Sequence, residues 1–358
     1  MDHFFILRGL TRLFAIFVWV FIIVACLHFG GYFKERFSEK SLNILVWPQV
    51  LDAEFLKEFE KKSGVKVRVS YFDHNEELLV KLESSHDHGY DLVMPSHYML
   101  PTLIEKKLIK PIDKTRLYFW DHIYSTLRGI YSDPQNSYSV PFYWGILGIG
   151  INRDFFRKNE VLGSSWDLIF KNGHGIQCVS VINDIRELSL IAAQYLFGRI
   201  HDLTDKEIDQ IIELLIEQKK YVGLYTDGRA EYAIATQSCP IGVVLLNDLM
   251  KVMKKFSSID FVIPKEGTFV VVDSFVASSQ TKKDELIYEF LNYLYDPKVL
   301  SQYAEKFQFL PAVDNVISSL PFRNRFIPSA EFFKNLRFFE NVFSEETLLR
   351  IWTAVRVN

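Results

Sequence analysis

Three short apolar runs, at residues 42–47, 65–71 and 90–94, alternate with two segments whose apolar residues recur at helical spacing. Phe55, Leu56 and Phe59 mark the first helical segment, with Asp52 at the cap position and Ser63-Gly64 at the stop. Leu78, Leu79 and Leu82 mark the second, with Asn75 at the cap position. Strand, helix, strand, helix, strand is the rhythm of an α/β fold whose parallel sheet is covered on both faces. The third run, Tyr90-Asp91-Leu92-Val93-Met94, stops at Pro95, which cannot extend a ladder. Ser96, His97 and Tyr98 therefore fall in the loop at the carboxyl end of a buried strand, where ligands bind in open α/β sheets. Ser96 and Tyr98 are the first candidate contacts. The same pattern also suits a serine that only caps a helix and a ring that only packs beneath it.

The 358 residues suffice for two domains, and 49% hydrophobic with 24% charged residues excludes a disordered chain. A net charge of -3 gives no basic footprint for nucleic acid. Arg8 and Arg12 precede an apolar stretch over residues 13–33, so residues 1–37 read as an export segment. Ile23-Val24-Ala25-Cys26 resembles a lipobox, which would place a lipid on Cys26. The stretch is also about the length that spans a bilayer uncut, and ordinary cleavage is a third outcome. All three place the chain from about residue 40 onward outside the cytoplasmic membrane. Cys178 and Cys239 remain, and two separate buried thiols are expected of them.

The segment over residues 140–151 is extended and apolar, with Gly145, Gly148 and Gly150 where a crossing strand bends or is closely approached. Beyond it a second α/β body begins at Ser165-Trp166-Asp167. Its strand over residues 176–182 runs into Asn183-Asp184-Ile185-Arg186-Glu187, which puts Asp184 and Glu187 near a strand's carboxyl end. Locally these two fit a helix cap as well as a ligand contact. Thr204-Asp205-Lys206-Glu207 reads as a capping box alone. Strands follow at residues 241–246 and 260–263, and Val270 to Val276 is another, interrupted by Asp273. A buried lone carboxylate is costly, so Asp273 must be solvated, paired or facing a cation. His86 and His88 lack a third ligand nearby and are read as a solvated turn, so no metal is expected. No nucleophile elbow, zincin motif, phosphate loop or dinucleotide fingerprint is present, so neither catalytic residues nor a cofactor are assigned.

Tyr90 to Ser96, Tyr138-Ser139-Val140-Pro141 with Trp144-Gly145, Asp184-Ile185-Arg186-Glu187, and Pro264-Lys265-Glu266-Gly267 leading to Asp273-Ser274 occur in this order. In these stretches the chain resembles the spermidine/putrescine-binding (PotD-type) solute-binding proteins of ABC importers. The resemblance implies a two-lobed periplasmic-binding-protein fold (type II, Venus flytrap) with strands crossing at the hinge. Lobe 1 would hold residues 41–145 and 270–317, and lobe 2 residues 146–269 and 318–358. It implies a polyamine held by Trp47, Ser96 and Tyr98 from lobe 1, by Asp184 and Glu187 from lobe 2, and by Asp273 at the hinge side. Phe309 would occupy a further contact position that has lost a hydroxyl, while Val50, Leu245 and Val271 fall where other aromatic residues are expected. A last contact, an amide in the family, falls at Phe339 or Glu340. The implied partners are the polyamine and the permease subunits of an ABC transporter, met by a membrane-tethered monomer at the periplasmic face. The alternatives are the same fold holding a basic amino acid or thiamine-like base, an interaction module with a vestigial cleft, and an exported enzyme using Asp184 and Glu187 as acid and base.

Overall fold

The computed structural model describes residues 17–19, 24, 40–48, 50–51, 53–85, 89–156, 163–171, 176–226, 229–320 and 336–357. The expectations for Asp52, His86, His88, Cys26 and most of the apolar segment at 13–33 lie outside these residues. The first half is built on β1 (Ser41–Val46), β2 (Lys66–Tyr71), β3 (Leu92–Val93) and β4 (Ile109–Lys110), with β1 pairing in parallel with both β2 and β3. The long β5 (Ser139–Asn152) then leads into β6 (Val179–Ile182), β7 (Val222–Thr226), β8 (Ile241–Leu245) and β9 (Ile259–Val262). β10 (Thr268–Ser278) returns to the first half, and β11 (Leu310–Pro311) and β12 (Leu336–Phe338) complete the strands among the described residues.

The strand order is β2-β1-β3-β10-β5-β8-β6-β7, and β5 is where one half passes into the other. Residues 139–146 of β5 pair antiparallel with β10, and residues 147–151 pair antiparallel with β8. One strand thus belongs to two sheets, each of which encloses a separate core. Leu42, Ile44, Phe142, Phe275 and Phe290 lie in the first, and Ile149, Trp166, Val181, Leu190 and Ile351 in the second, all at 0% exposure. Burial of each such side chain contributes roughly 1.5 to 3 kcal/mol before chain entropy is subtracted.

The glycines of β5 are needed for close approach. A Cβ on Gly148 would sit 2.4 Å from Phe261 Cζ and 2.9 Å from Val262 O, and one on Gly150 would sit 2.6 Å from Ile234 Cδ1. The capping box at Thr204 and Glu207 is present, and Gly64 and Gly198 end helices with φ of +70° and +65°. The C-terminal helix Glu345–Val357 packs on helix Asp205–Lys219, whose Lys219 Nζ donates to Val355 O at 2.9 Å.

Two local expectations are overturned. Cys178 and Cys239 form a disulfide with Cα atoms 4.7 Å apart, where separate thiols were expected. The parallel register of β6 with β8, Val179 opposite Ile241, brings the residues just ahead of the two strands together. Asn75, read as a helix cap, is the first residue of helix Asn75–Ser84 instead, with His74 at the cap. Its amide is used elsewhere.

Candidate functional site

A cleft of about 1060 Å³ lies between the two halves, at the carboxyl ends of their strands. Trp47 follows β1, Ser96 and Tyr98 follow β3, Asp184 and Glu187 follow β6, and Asp248 follows β8. All six line the cleft, as do Asp273 and Phe309, so the structure brings together the contact residues named from the sequence except the C-terminal one.

Asp273 is 6% exposed and lies opposite Tyr143 on the neighbouring strand, where a bulge interrupts the ladder between Asp273 and Ser274. Its backbone bridges to Ser96, whose Oγ donates to Oδ1 at 2.6 Å. Burial pushes the carboxyl up to about 6, although hydrogen bonds from Ser96, Tyr143 and Trp47 pull the other way and the Asp248 charge pushes it higher. The Trp47 indole N–H faces the carboxylate without closing a fully formed hydrogen bond. Among the described residues, Ser96, Tyr143 and Trp47, the groups that hydrogen-bond or face this carboxylate, are neutral donors, and its charge is left to be matched from the cleft.

Asp184 and Glu187 sit at the start of helix Ile185–Phe197. Asp184 Oδ1 accepts from the backbone N–H of Arg186 at 2.7 Å and of Glu187 at 3.3 Å, so the residue is both a helix cap and a cleft carboxylate. Burial raises its pKa, against the Arg186 charge and those backbone N–H groups. Arg186 reaches across to the other half, with Nη1 3.0 Å from Glu76 Oε1, and also lies 3.2 Å from Glu345 Oε1.

Tyr98 joins the two walls. It is 7% exposed, and burial pushes its phenol well up, reinforced by the charges of Glu187, Asp184 and Glu76. Asn75 Nδ2 donates to the Tyr98 hydroxyl at 2.7 Å, and Asn75 Oδ1 accepts from Ser96 N at 3.2 Å. One buried amide thus positions two contact residues. Between them, His97 Nδ1 accepts from Val272 N at 3.2 Å, which leaves Nε2 to donate to Phe339 O at 2.8 Å. Burial lowers the His97 pKa to about 4, so the ring is a neutral brace.

Phe309, 8% exposed, packs on Phe142 and Tyr143 with ring centroids 5.5 and 5.7 Å away. Trp47 packs on Phe72 at 4.3 Å. Val50, Leu245 and Val271 line the cleft as aliphatic walls. The C-terminal contact expected at Phe339 or Glu340 is not in the cleft lining. Phe339 lies behind Tyr98, with ring centroids 4.9 Å apart, and Glu340 lies 3.4 Å from His201 at the surface. Sequence reading missed Asn75, Tyr143, Glu231 and Asp248, which also line the cleft. Among the described residues no group of His, Cys, Asp and Glu is arranged to hold a metal ion.

Carboxylates thus outnumber cations in the cleft, and one of the latter, Lys251, is held 2.8 Å from Asp248. Such an arrangement accepts a positively charged solute with an apolar body. An ammonium about 4 Å from a carboxylate gains roughly 4 kcal/mol gross at an effective dielectric near 20, and each aromatic face adds about 0.5 to 2 kcal/mol.

Residues 54–324 match the family described as bacterial extracellular solute-binding protein. The putrescine-binding periplasmic protein SpuD of Pseudomonas aeruginosa is 27% identical over 344 residues, covering 89% of this chain and 92% of that protein. The spermidine/putrescine-binding periplasmic protein of Escherichia coli is 28% identical over 260 residues, covering 72% of this chain and 74% of that protein. Among solved structures, the spermidine/putrescine ABC transporter substrate-binding protein PotD of Streptococcus pneumoniae superposes with a TM-score of 0.78 at 21% identity, covering 89% of this chain and 99% of that one. The TpPotD lipoprotein of Treponema pallidum does so with a TM-score of 0.77 at 23% identity, covering 89% and 100%. The fold is that of the two-lobed periplasmic binding proteins.

Proposed function

This chain belongs to the bacterial extracellular solute-binding proteins, and on that premise we propose that it captures a linear polyamine, putrescine or spermidine, and delivers it to the permease of an ABC importer. The observation that carries this reading is Asp273, a buried cleft carboxylate whose donors among the described residues, Ser96, Tyr143 and Trp47, are neutral. An ammonium there supplies the missing charge, and a second ammonium on the same chain reaches Asp184 and Glu187 on the other wall. Trp47, Tyr98 and Phe309 cover the methylenes between them. The names of the relatives, all polyamine-binding, support the same ligand class.

Residues 41–145 and 270–317 form lobe 1 in this reading, and residues 146–269 and 318–358 form lobe 2. β5 and β10 cross between them as hinge strands. Closing the lobes favours the bound state only through contacts the ligand makes with both walls. The Arg186 to Glu76 ion pair already spans the cleft and adds to that closure. The protein works as a monomer on the outer face of the cytoplasmic membrane, held by the apolar segment at 13–33 or by a lipid on Cys26. It binds reversibly and does no chemistry on its solute.

A second reading, the same cleft holding a different organic cation, draws on Val50, Leu245 and Val271, which leave the walls less aromatic than the resemblance implies. Native mass spectrometry of the purified chain with putrescine, spermidine, lysine and thiamine separates the two. One bound polyamine per chain supports the first reading, and retention of lysine or thiamine alone replaces it with the second.

A further inference from the structure

The cleft holds a further buried acid on the lobe 2 side, Glu231. Glu231 stands in the first turn of helix Ala230–Ala235, is 2% exposed, and borders the cleft. Its Oε2 has no hydrogen-bond partner among the described residues. The nearby cation Lys251 is held by Asp248 Oδ1 at 2.8 Å, and Asp248 borders the same part of the cleft. A carboxylate oxygen withdrawn from water and left without a donor is unfavourable for the empty protein. Burial pushes the Glu231 carboxyl up to about 7, the Asp248 charge pushes in the same direction, and its own backbone N–H, Lys251 and Arg229 only partly offset them. Asp248 raises Asp273 as well, so a second negative region continues from the hinge carboxylate along lobe 2.

We propose that Glu231 is a third cation contact, receiving one amine of a polyamine whose other ammonium groups rest on Asp273 and on Asp184 with Glu187, so that the cleft selects a triamine over a diamine. This rests on the polyamine reading above. Two separated cations satisfy two of these three acidic places and leave Glu231 Oε2 buried without a donor among the described residues, whereas three cations satisfy all of them. No packing need explains an acid at this position, since Ala230, Ala233 and Ile234 fill the core side of the helix.

The test measures dissociation constants of putrescine and spermidine for the purified full-length chain and for its Glu231→Gln, Glu231→Asp and Asp273→Asn variants at neutral pH. The wild type should bind spermidine more tightly than putrescine. Glu231→Gln, nearly isosteric, should weaken spermidine by at least about tenfold and putrescine by less than about threefold, on the scale of losing one desolvated charge pair. Glu231→Asp should keep part of the preference, and an unlowered thermal midpoint of the ligand-free variant shows that it is folded. Equal losses for both amines in Glu231→Gln, or none, while Asp273→Asn abolishes binding, would overturn the third contact and leave the polyamine reading standing. A wild type that binds neither amine would remove both.

Discussion

Ser96 Oγ donates a 2.6 Å hydrogen bond to Asp273 Oδ1 across a sequence separation of 177 residues. It joins the loop after one strand to the middle of a strand that crosses the hinge. Replacing Ser96 with alanine leaves Asp273 with less support for its charge. Polyamine affinity should fall by about 1 to 2 kcal/mol, the scale of a hydrogen bond to a charged group. Calorimetry on Ser96→Ala checks this, and unchanged affinity would mean that the serine is idle.

The same carboxyl makes binding depend on pH. Its folded pKa of about 6 lies above the ordinary 3.8. Without ligand, its contribution to stability is therefore full below about pH 4 and is lost as pH rises through about 6, roughly 3 kcal/mol in all. His97 runs the other way. Its pKa falls from 6.5 to about 4, so its contribution is full at neutral pH and is lost as pH falls through 4. The two oppose each other between about pH 4 and pH 6, while Glu231, raised to about 7, acts in the same direction as Asp273. Measured against the wild type at each pH, Asp273→Asn should lose stability as acid is added from about pH 6 to about pH 4, by up to about 1.4 kcal/mol per unit. Amine affinity, which needs the ionised carboxylate, should rise from about pH 5 to neutrality by up to tenfold per unit.

Asn75→Ala should harm both fold and site. The change removes the acceptor for Ser96 N and the donor for the Tyr98 hydroxyl, both buried. Stability should fall by about 1 to 3 kcal/mol for the unsatisfied groups, with weaker amine binding as Tyr98 loses its position. A variant with wild-type affinity would show that Tyr98 needs no such support.

The disulfide should matter to stability alone. Cys178 and Cys239 lie at the starts of β6 and β8, whereas the cleft residues Asp184 and Asp248 lie beyond their ends. Replacing both cysteines with serine should cost about 2 to 4 kcal/mol in urea unfolding and leave amine affinity within about twofold. A large affinity change would place the bridge in the mechanism of closure.

These residues also show how far the sequence can be read. Asp273 was visible because a carboxylate in an apolar strand is costly, and Gly148 because a strand tolerates glycine where another chain presses close. The βαβ rhythm was legible from spacing alone. Asn75 was not, since its partners lie 21 and 23 residues away and an asparagine before an apolar run reads as a cap. Glu231 carries no local signal, because only its burial distinguishes it from an acid on an exposed helix face. Cys178 and Cys239 gave no local signal, because the register of β6 on β8 brings them together across 61 residues. At Asp184 local spacing left two roles open, and the residue is placed for both.

The most direct test is calorimetric titration of the purified chain with putrescine and with spermidine, in wild type and in Asp273→Asn. The account predicts one-to-one binding by the wild type and a loss of at least about 2 kcal/mol in the variant, the scale of leaving one member of a buried charge pair unmatched. Equal affinity in both proteins, or no binding of either amine by folded wild type, would contradict it.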